Sequence, residues 1–347
     1  MKVFLTGGTG FIGQALTREL LARGWSVSAL VRKPEAPSAR ALSRLGAQLV
    51  AGDVTDRESM RVGMTGADIV IHNAGQYEFG LNAAGKQRMH AVNVIGTENV
   101  LSLALELGIP RTVYVSTVLA FGDTGKQLRD ETFERQTACR TWYEQTKTDA
   151  HAIARKYQQR GLPLIIACPN GVIGANDHSF LGYFLRMYIN RILPPLAWSP
   201  DSISSFVEVN DLAQGITLAA EKDRPGETYI FAGEPKSTRE HLATWTLRPG
   251  AFRIEGWLPA GLMAAVLWPL EPLQRLAGLP AIMSRESVWA SEGSLYYSSE
   301  KAQKELGWNH RSAQEMWFTT IDGELELLAK RRKRDLISRL KPVEFEG

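Results

Sequence analysis

Short apolar runs alternate with amphipathic stretches through the first two thirds of the chain. Lys2–Leu5 is a brief apolar run that reads as a buried strand. After a cluster of glycines, Ile12, Leu16 and Leu20 recur every four residues and the stretch closes at Gly24, the pattern of a helix that buries one face and ends on glycine. The alternation then repeats. It predicts strands over Gly24–Val31, Gly46–Val54, Ala67–Gly75, Arg111–Gly122 and Pro163–Pro169, with helical segments between them. The segments "SSFVEV" (Ser204–Val209) and "GETYIFAG" (Gly226–Gly233) read as returns to the same sheet. Such order predicts an α/β fold with a doubly wound parallel sheet. Residues 1–171 plus about 204–235 would form the sheet domain. Residues 172–203 plus 236–328 would form a smaller, mostly helical substrate part, and 329–347 a basic tail. There is no internal repeat and no low-complexity linker.

Composition narrows this picture. With 44% hydrophobic and 22% charged residues in 347, the chain has the make-up of an ordinary globular protein. Its two cysteines, Cys139 and Cys168, exclude a disulfide scaffold and a four-cysteine zinc site, and no metal is expected. A reducing cytoplasm is the expected location, and a strand starting at residue 2 leaves no room for an N-terminal signal. Charge is unevenly placed. Lys330–Lys341 carries +6 and the last six residues −2, so residues 1–328 carry about −1 and the body is not a nucleic-acid binder. That tail is either a solvated helix end or a patch for an anionic membrane surface. Gly256–Leu270 is uncharged but too short to span a bilayer. It reads as a buried helix, as a lid over an apolar substrate, or, with the tail, as a shallow membrane contact.

The candidate chemistry starts with "TGGTGFIG" (Thr6–Gly13). A strand, a glycine turn carrying Gly7, Gly10 and Gly13, and then a helix point free N–H groups and a positive dipole end at an anion. Glycine lets a pyrophosphate approach the backbone closely, so the stretch predicts a dinucleotide site. Further along, Tyr143 and Lys147 sit four apart and share a helix face. Thr117 lies at the carboxyl end of the fifth strand, where an open α/β sheet keeps its ligand crevice. A hydroxyl, a phenol and an ammonium together can handle a proton. The ammonium is expected to move the tyrosine pKa toward working pH.

These motifs, with "GDVTD", "HNAG", "NVIGTENVL", "VSTVLAFG" and "FVEVNDLA" in that order, resemble the extended short-chain dehydrogenases/reductases, the NAD(P)-dependent epimerase/dehydratase superfamily. The resemblance covers roughly residues 1–235 and implies a Rossmann domain. It implies that Tyr143 is the general acid/base, that Lys147 binds the nicotinamide ribose and tunes Tyr143, and that Thr117, with Ser116 as fallback, fills the Ser/Thr position. It further places Phe11 and Ile12 with the glycine loop, and Asp53 and Val54 at the adenine. Asn73, Ala74 and Gly75 would lie along the adenosine and phosphates, Asn93 would support the nicotinamide end as a member of the catalytic set, and Pro169 and Asn170 would lie by the carboxamide.

At the end of the second strand Arg32 and Lys33 stand where an acid would bind the ribose of NAD. That favours NADP, with NAD the alternative. Departures from the family narrow the reaction. Thr117 is followed by Val118–Leu119–Ala120, without the acid of sugar-nucleotide dehydratases. Ser204 and Cys168 stand where epimerases carry arginines for a diphosphate. The variants look like the dihydroflavonol reductase and 3β-hydroxysteroid dehydrogenase branch, which implies an NADP-dependent oxidoreductase acting on a carbonyl or hydroxyl of a largely apolar molecule. A nucleotide-sugar epimerase, with Arg186 and Arg191 as candidate diphosphate ligands, and a non-catalytic NADP-binding scaffold are the alternatives. Trp257, Leu258, Leu262, Met263, Leu267 and Trp268 are expected to line the substrate pocket, and a homodimer is a further partner reading.

Overall fold

A computed structural model describes residues 1–248, 251–269, 271, 274, 284–330 and 339–342. The main strands are β1 (Lys2–Thr6), β2 (Ser26–Val31), β3 (Gln48–Ala51), β4 (Ile69–His72), β5 (Thr112–Val115) and β6 (Leu164–Pro169). Short strands follow: β7 (Val172–Ile173), β8 (Leu196–Trp198), β9 (Ile203–Ser204), β10 (Val207–Glu208), β11 (Thr228–Phe231), β12 (Lys236–Ser237) and β13 (Gly256–Leu258). Seven of them make one parallel sheet in the order β11–β6–β5–β4–β1–β2–β3. The order turns around between β1 and β4, and a crevice opens there beyond the carboxyl ends of the strands.

The apolar runs are continuous because both faces of this sheet are covered. Val3, Leu5, Ile69, Ile71, Val113, Val115 and Ile165 point into one buried cluster, while Phe4, Val70, Tyr114, Leu164, Ile166 and Cys168 point into the other. Helices supply the cover: α1 (Phe11–Ala22), α2 (Pro37–Leu45), α3 (Arg61–Met64), α4 (Ala83–His90), α5 (Gly96–Glu106) and α6 (Trp142–Gln159). Beyond them lie α7 (Phe180–Ile189), α8 (Val209–Lys222), α9 (Thr238–Trp245) and α10 (Ala260–Leu267). α1 ends before Gly24 and α6 before Gly161, both with positive φ, so the Gly24 stop read from the sequence is where the chain turns.

The expectation for "GETYIFAG" holds, since β11 pairs with β6. That for "SSFVEV" does not. β11 occupies the edge beside β6, so β10 pairs instead with β7 in a separate two-stranded sheet, giving the Val207 N–H to the Gly171 carbonyl. The fifth strand is also shorter than read. The chain leaves the sheet after Val115, and Thr117 starts a single 3₁₀ turn over Val118–Ala120.

A third buried cluster gathers Phe184, Tyr188, Trp198, Trp245 and Trp317 with Met263 and Leu267. It draws on residues after 172. The helix Ala313–Lys330 contributes Met316, Trp317 and Ile321 to it. Among the described residues no helix is long and apolar enough to cross a membrane, and no cluster of metal-binding side chains occurs.

Candidate active site

A single cavity of about 1150 Å³ runs over the carboxyl ends of β1, β4, β5 and β6. One end is built by the glycine turn. Gly7 has φ +71°, and a Cβ there would come 2.7 Å from the Ala74 backbone, so glycine is required both by conformation and by space. A Cβ on Gly13 would overlap the Gly7 carbonyl oxygen and come 2.7 Å from Gly8 Cα. Gly13 therefore seats α1 on the turn and does not itself face the cavity. Gly10 is different. A Cβ there would meet nothing nearer than Gly7 O at 3.4 Å, and Gly10, Phe11 and Ile12 all line the cavity. Gly10 is also the N-cap of α1, with no side chain capping the helix and no acid in its first turn. The first amides of α1 thus open onto free space, the arrangement that takes a phosphate.

The neighbouring wall carries Arg32, Asp53, Val54, Asn73, Ala74 and Gly75. Asp53 is shaped by Thr55, whose N–H and O–H both donate to Oδ1 at 2.9 Å. Asn73 Nδ2 donates to Gly7 O at 3.3 Å. Lys33 is exposed and off this wall, so of the two basic residues Arg32 alone faces the cavity.

Further along, Thr117, Tyr143, Ser116, Pro169 and Asn170 meet on the wall. Thr117 Oγ1 accepts the Leu119 N–H at 3.2 Å, which leaves its O–H to donate to a ligand. Ser116 is bonded to His151 Nδ1 at 2.9 Å and is buried behind it. Lys147 sits one helical turn beyond Tyr143, buried and off the wall. Its Nζ donates to the Val115 carbonyl at 3.0 Å and to the Tyr114 hydroxyl at 3.2 Å. Burial pushes the Tyr143 phenol above its ordinary pKa, and the Lys147 ammonium pulls it back. The sequence reading foresaw the pull but not the stronger, opposing effect of burial. Burial lowers Lys147 as well.

Asn93 does not reach the cavity wall. It lies in a π turn, Ala91–Ile95, between α4 and α5. Its Nδ2 donates to the Gln76 carbonyl and to Thr146 Oγ1, both at 3.0 Å, and its Oδ1 accepts the Gln76 N–H at 2.7 Å. Thr146 donates in turn to the Tyr143 carbonyl at 2.9 Å. Asn93 therefore clips the loop after β4 to the helix that carries Tyr143. A directed chain of hydrogen bonds holds its own backbone. The Ala74 N–H donates to Thr6 Oγ1 (3.1 Å), Thr6 O–H to His72 Nδ1 (2.8 Å), His72 Nε2–H to Thr97 Oγ1 (3.0 Å), and Thr97 O–H to the Asn93 carbonyl (2.7 Å). The carbonyl at its end can only accept, which fixes the imidazole tautomer. Burial keeps His72 neutral, with its pKa down to about 3.

The remaining cavity is aromatic. Phe180, Phe184, Trp198, Phe206, Trp245 and Trp317 supply its wall. His241 is set into it, accepting from Trp317 Nε1 at 3.0 Å and donating to the Ser204 carbonyl at 3.1 Å, with its pKa lowered by burial to about 4. Asp177 is a buried carboxyl on the same wall, pushed up to about 6 by burial. Sequence reading missed this wall because its members are scattered between residues 180 and 317. It also missed Tyr77, whose ring stands edge-on to Tyr143 with centroids 4.7 Å apart.

Of the readings of Gly256–Leu270, the pocket-lining one fails and the buried-helix one agrees with the core placement of Met263, Ala264 and Leu267. None of Trp257, Leu258, Leu262, Met263, Leu267 and Trp268 lines the cavity. β13 pairs with β8 behind Trp198, and Met263 and Leu267 fill the core beneath it, while Leu262, Val266 and Trp268 are exposed. The segment backs the wall without forming it. Leu270 and residues 331–338 of the basic stretch lie outside the described residues. The candidate diphosphate ligands are also elsewhere. Arg186 is buried against Glu324 (2.8 Å), the Asp177 carbonyl (2.7 Å) and the Leu340 carbonyl (2.8 Å), and neither it nor Arg191 lines the cavity. Cys168 lies within the sheet core.

Residues 3–232 match the model of the NAD dependent epimerase/dehydratase family. The chain is 31% identical over 319 residues to a 4-hydroxy-2-methyl-3-oxo-4-farnesyl-3,4-dihydroquinoline-1-oxide ketoreductase of Stigmatella aurantiaca, covering 90% of this chain and 92% of that one. It is 28% identical over 349 residues to a 3 beta-hydroxysteroid dehydrogenase/Delta 5→4-isomerase of Mycobacterium tuberculosis, covering 94% and 89%. Among solved structures, that of gox2253 superposes with a TM-score of 0.76 at 28% identity, over 94% of this chain and 98% of that one.

Proposed function

The chain belongs to the NAD dependent epimerase/dehydratase family, and on that premise we propose that it is an NADP-dependent oxidoreductase interconverting a carbonyl and a hydroxyl on a largely apolar molecule. The observation that carries the proposal is one continuous cavity with the open glycine turn at one end, Tyr143 and Thr117 in the middle, and an aromatic wall beyond them. The residues present suit a nicotinamide dinucleotide: the free amides of α1 and the bare Gly10 for the pyrophosphate, Asp53 and Val54 for the adenosine, and Arg32 for a 2′-phosphate. When bound, that cofactor supplies or takes up the hydride.

The protein's own part is to hold the substrate oxygen and move its proton. Thr117 O–H donates to that oxygen. Tyr143 gives it a proton in reduction and takes one in oxidation. The buried Lys147 ammonium offsets part of the burial that raises the Tyr143 phenol. The aromatic wall excludes water and orients the apolar body of the substrate. The two relatives named above, a ketoreductase and a hydroxysteroid dehydrogenase by name, support the same chemistry.

The epimerase reading finds little support in the cavity. A diphosphate needs paired cations. Besides Arg32 the wall carries Arg88 and Arg140, of which Arg140 already donates to Asp123 at 2.6 Å, and Arg186 is spent inside the fold. A panel of apolar ketones and aldehydes with NADPH, run beside UDP-sugars, tests the proposal. Turnover of apolar carbonyls is expected, and epimerisation of a UDP-sugar without it would refute the reading. Titration of NADPH and NADH into wild type and Arg32→Ala tests the cofactor. NADPH is expected to bind more tightly, and the preference to fall by about 1.5–3 kcal/mol in the variant. Equal wild-type affinities would refute it.

A further inference from the structure

The helix Arg285–Glu292 forms part of the cavity wall through Ser287, Ala290 and Ser291. Its first turn does something else. Glu286 Oε1 accepts the backbone N–H of Trp142 at 2.9 Å, and Oε2 accepts the backbone N–H of Gly80 at 2.7 Å. These partners lie far away in sequence and on different elements. Trp142 opens α6 and precedes Tyr143. Thr141 caps that helix by accepting from the Glu144 N–H, so it does not serve the Trp142 N–H, one of the donors a helix start leaves without an intrahelical acceptor. Gly80 belongs to the loop that presents Tyr77 and Phe79 to the cavity, and Tyr77 packs edge-on against Tyr143. One carboxylate therefore grips both segments whose rings meet at the proposed acid/base. The helix that carries it is itself pinned, because Ser284 and Ser287 form a reciprocal cap and Ser287 also lies on the wall. The negative charge further suits the N-terminus of α6.

We propose that Glu286 is a positioning residue. It sets the Tyr143 phenol, and Tyr77 against it, relative to the wall formed by its own helix, so that a substrate seated on Ser287, Ala290 and Ser291 meets a phenol already in register. The proposal rests on Tyr143 being the general acid/base. Its rival is a purely structural cap that adds stability and leaves catalysis untouched.

The test compares wild type with Glu286→Gln and Glu286→Ala. Glutamine keeps one acceptor and loses the other, and it covers the case in which the alanine variant fails to fold. Steady-state kinetics per folded site, NADPH affinity, the pH profile of kcat, thermal midpoint and amide hydrogen exchange at Gly80 and along Trp142–Lys147 are read together. A displaced reacting group costs on the order of 10²-fold, so the alanine variant is expected to lose about that much in kcat, and glutamine an intermediate amount. NADPH affinity stays within about twofold of wild type, since the glycine turn is untouched. The kcat limb assigned to Tyr143 shifts, and exchange quickens at both amides. A lowered melting temperature with unchanged kcat per folded site and an unchanged pH profile overturns the proposal. If wild type turns over no carbonyl or alcohol with either cofactor, the functional reading fails by itself. Exchange then decides the strap, and unaltered protection at Gly80 and Trp142 in the variants overturns it.

Discussion

The three glycines of the turn should separate folding from cofactor binding when each is replaced by alanine. At Gly10 the backbone is extended (φ −78°, ψ 175°) and the new methyl would meet only Gly7 O at 3.4 Å, an ordinary contact. Nothing in the fold has to move. The loss of unfolded-chain freedom should stabilise the protein slightly, by about 0.4–1 kcal/mol. Yet the methyl projects where the phosphate approaches the α1 amides. Losing one charge-assisted bond there costs about 1.5–3 kcal/mol, a tenfold to hundredfold weaker NADPH affinity. At Gly13 the methyl would overlap the Gly7 carbonyl and press on Gly8 Cα at 2.7 Å, both backbone. α1 must lift from the turn, and overpacking of this kind costs about 1–3 kcal/mol of stability along with the affinity. Gly7→Ala combines positive φ with a 2.7 Å approach to Ala74 and should fare no better. Chemical denaturation and cofactor fluorescence titration of the three variants give the two axes. A Gly10→Ala protein that binds NADPH like wild type would refute the placement of the pyrophosphate. A Gly13→Ala protein of unchanged stability would refute the packing argument.

Tyr143→Phe should lower kcat by about 10²–10⁴-fold while NADPH affinity stays near normal; a variant retaining more than a tenth of the rate would require another proton donor. Asn93→Ala removes the clip between Gln76 and Thr146 and should lower both stability and kcat; unchanged kcat in the folded variant would show that the clip does not position Tyr143. Burial lowers His72 to about 3 and His151 and His241 to about 4. The unfolded chain takes up protons at these sites below about pH 6.5 while the folded one does not, so stability should fall as pH drops from 6.5 toward 4, by up to about 1.4 kcal/mol per unit per histidine. Urea midpoints that stay flat between pH 7.5 and 5 would contradict this.

Much of the sheet was legible because both its faces are buried, so each strand appears as an apolar run flanked by turn residues. The glycine turn and the Tyr143–Lys147 pair were legible for a similar reason: each is local, and spacing alone places its members. What escaped was assembled from afar. Nothing near Glu286 signals that it reaches Trp142 and Gly80, and the aromatic wall draws its six residues from five separate stretches. Gly256–Leu270 misled for a different reason. An apolar composition shows that a segment avoids water on some side, but Met263 and Leu267 meet that need by packing beneath the wall, with no ligand involved. Short strands such as β10 were misassigned because edge position is set by competition, here won by β11.

The relay from Ala74 through Thr6, His72 and Thr97 to Asn93 bears on how such proteins can be recombined. Each hydroxyl in it passes the polarity of one bond to the next, with an obligate donor at one end and an obligate acceptor at the other. A chimera that inherits β1 from one parent and α5 from another has a sound seam only if positions 6, 72 and 97 come as a set. A parent with a different donor order would set two donors or two acceptors face to face in the core, at about 1–3 kcal/mol for each unsatisfied group. Shuffled libraries built with crossovers between residues 6 and 97 should therefore be depleted of mismatched trios, although no two of these residues are neighbours in the chain.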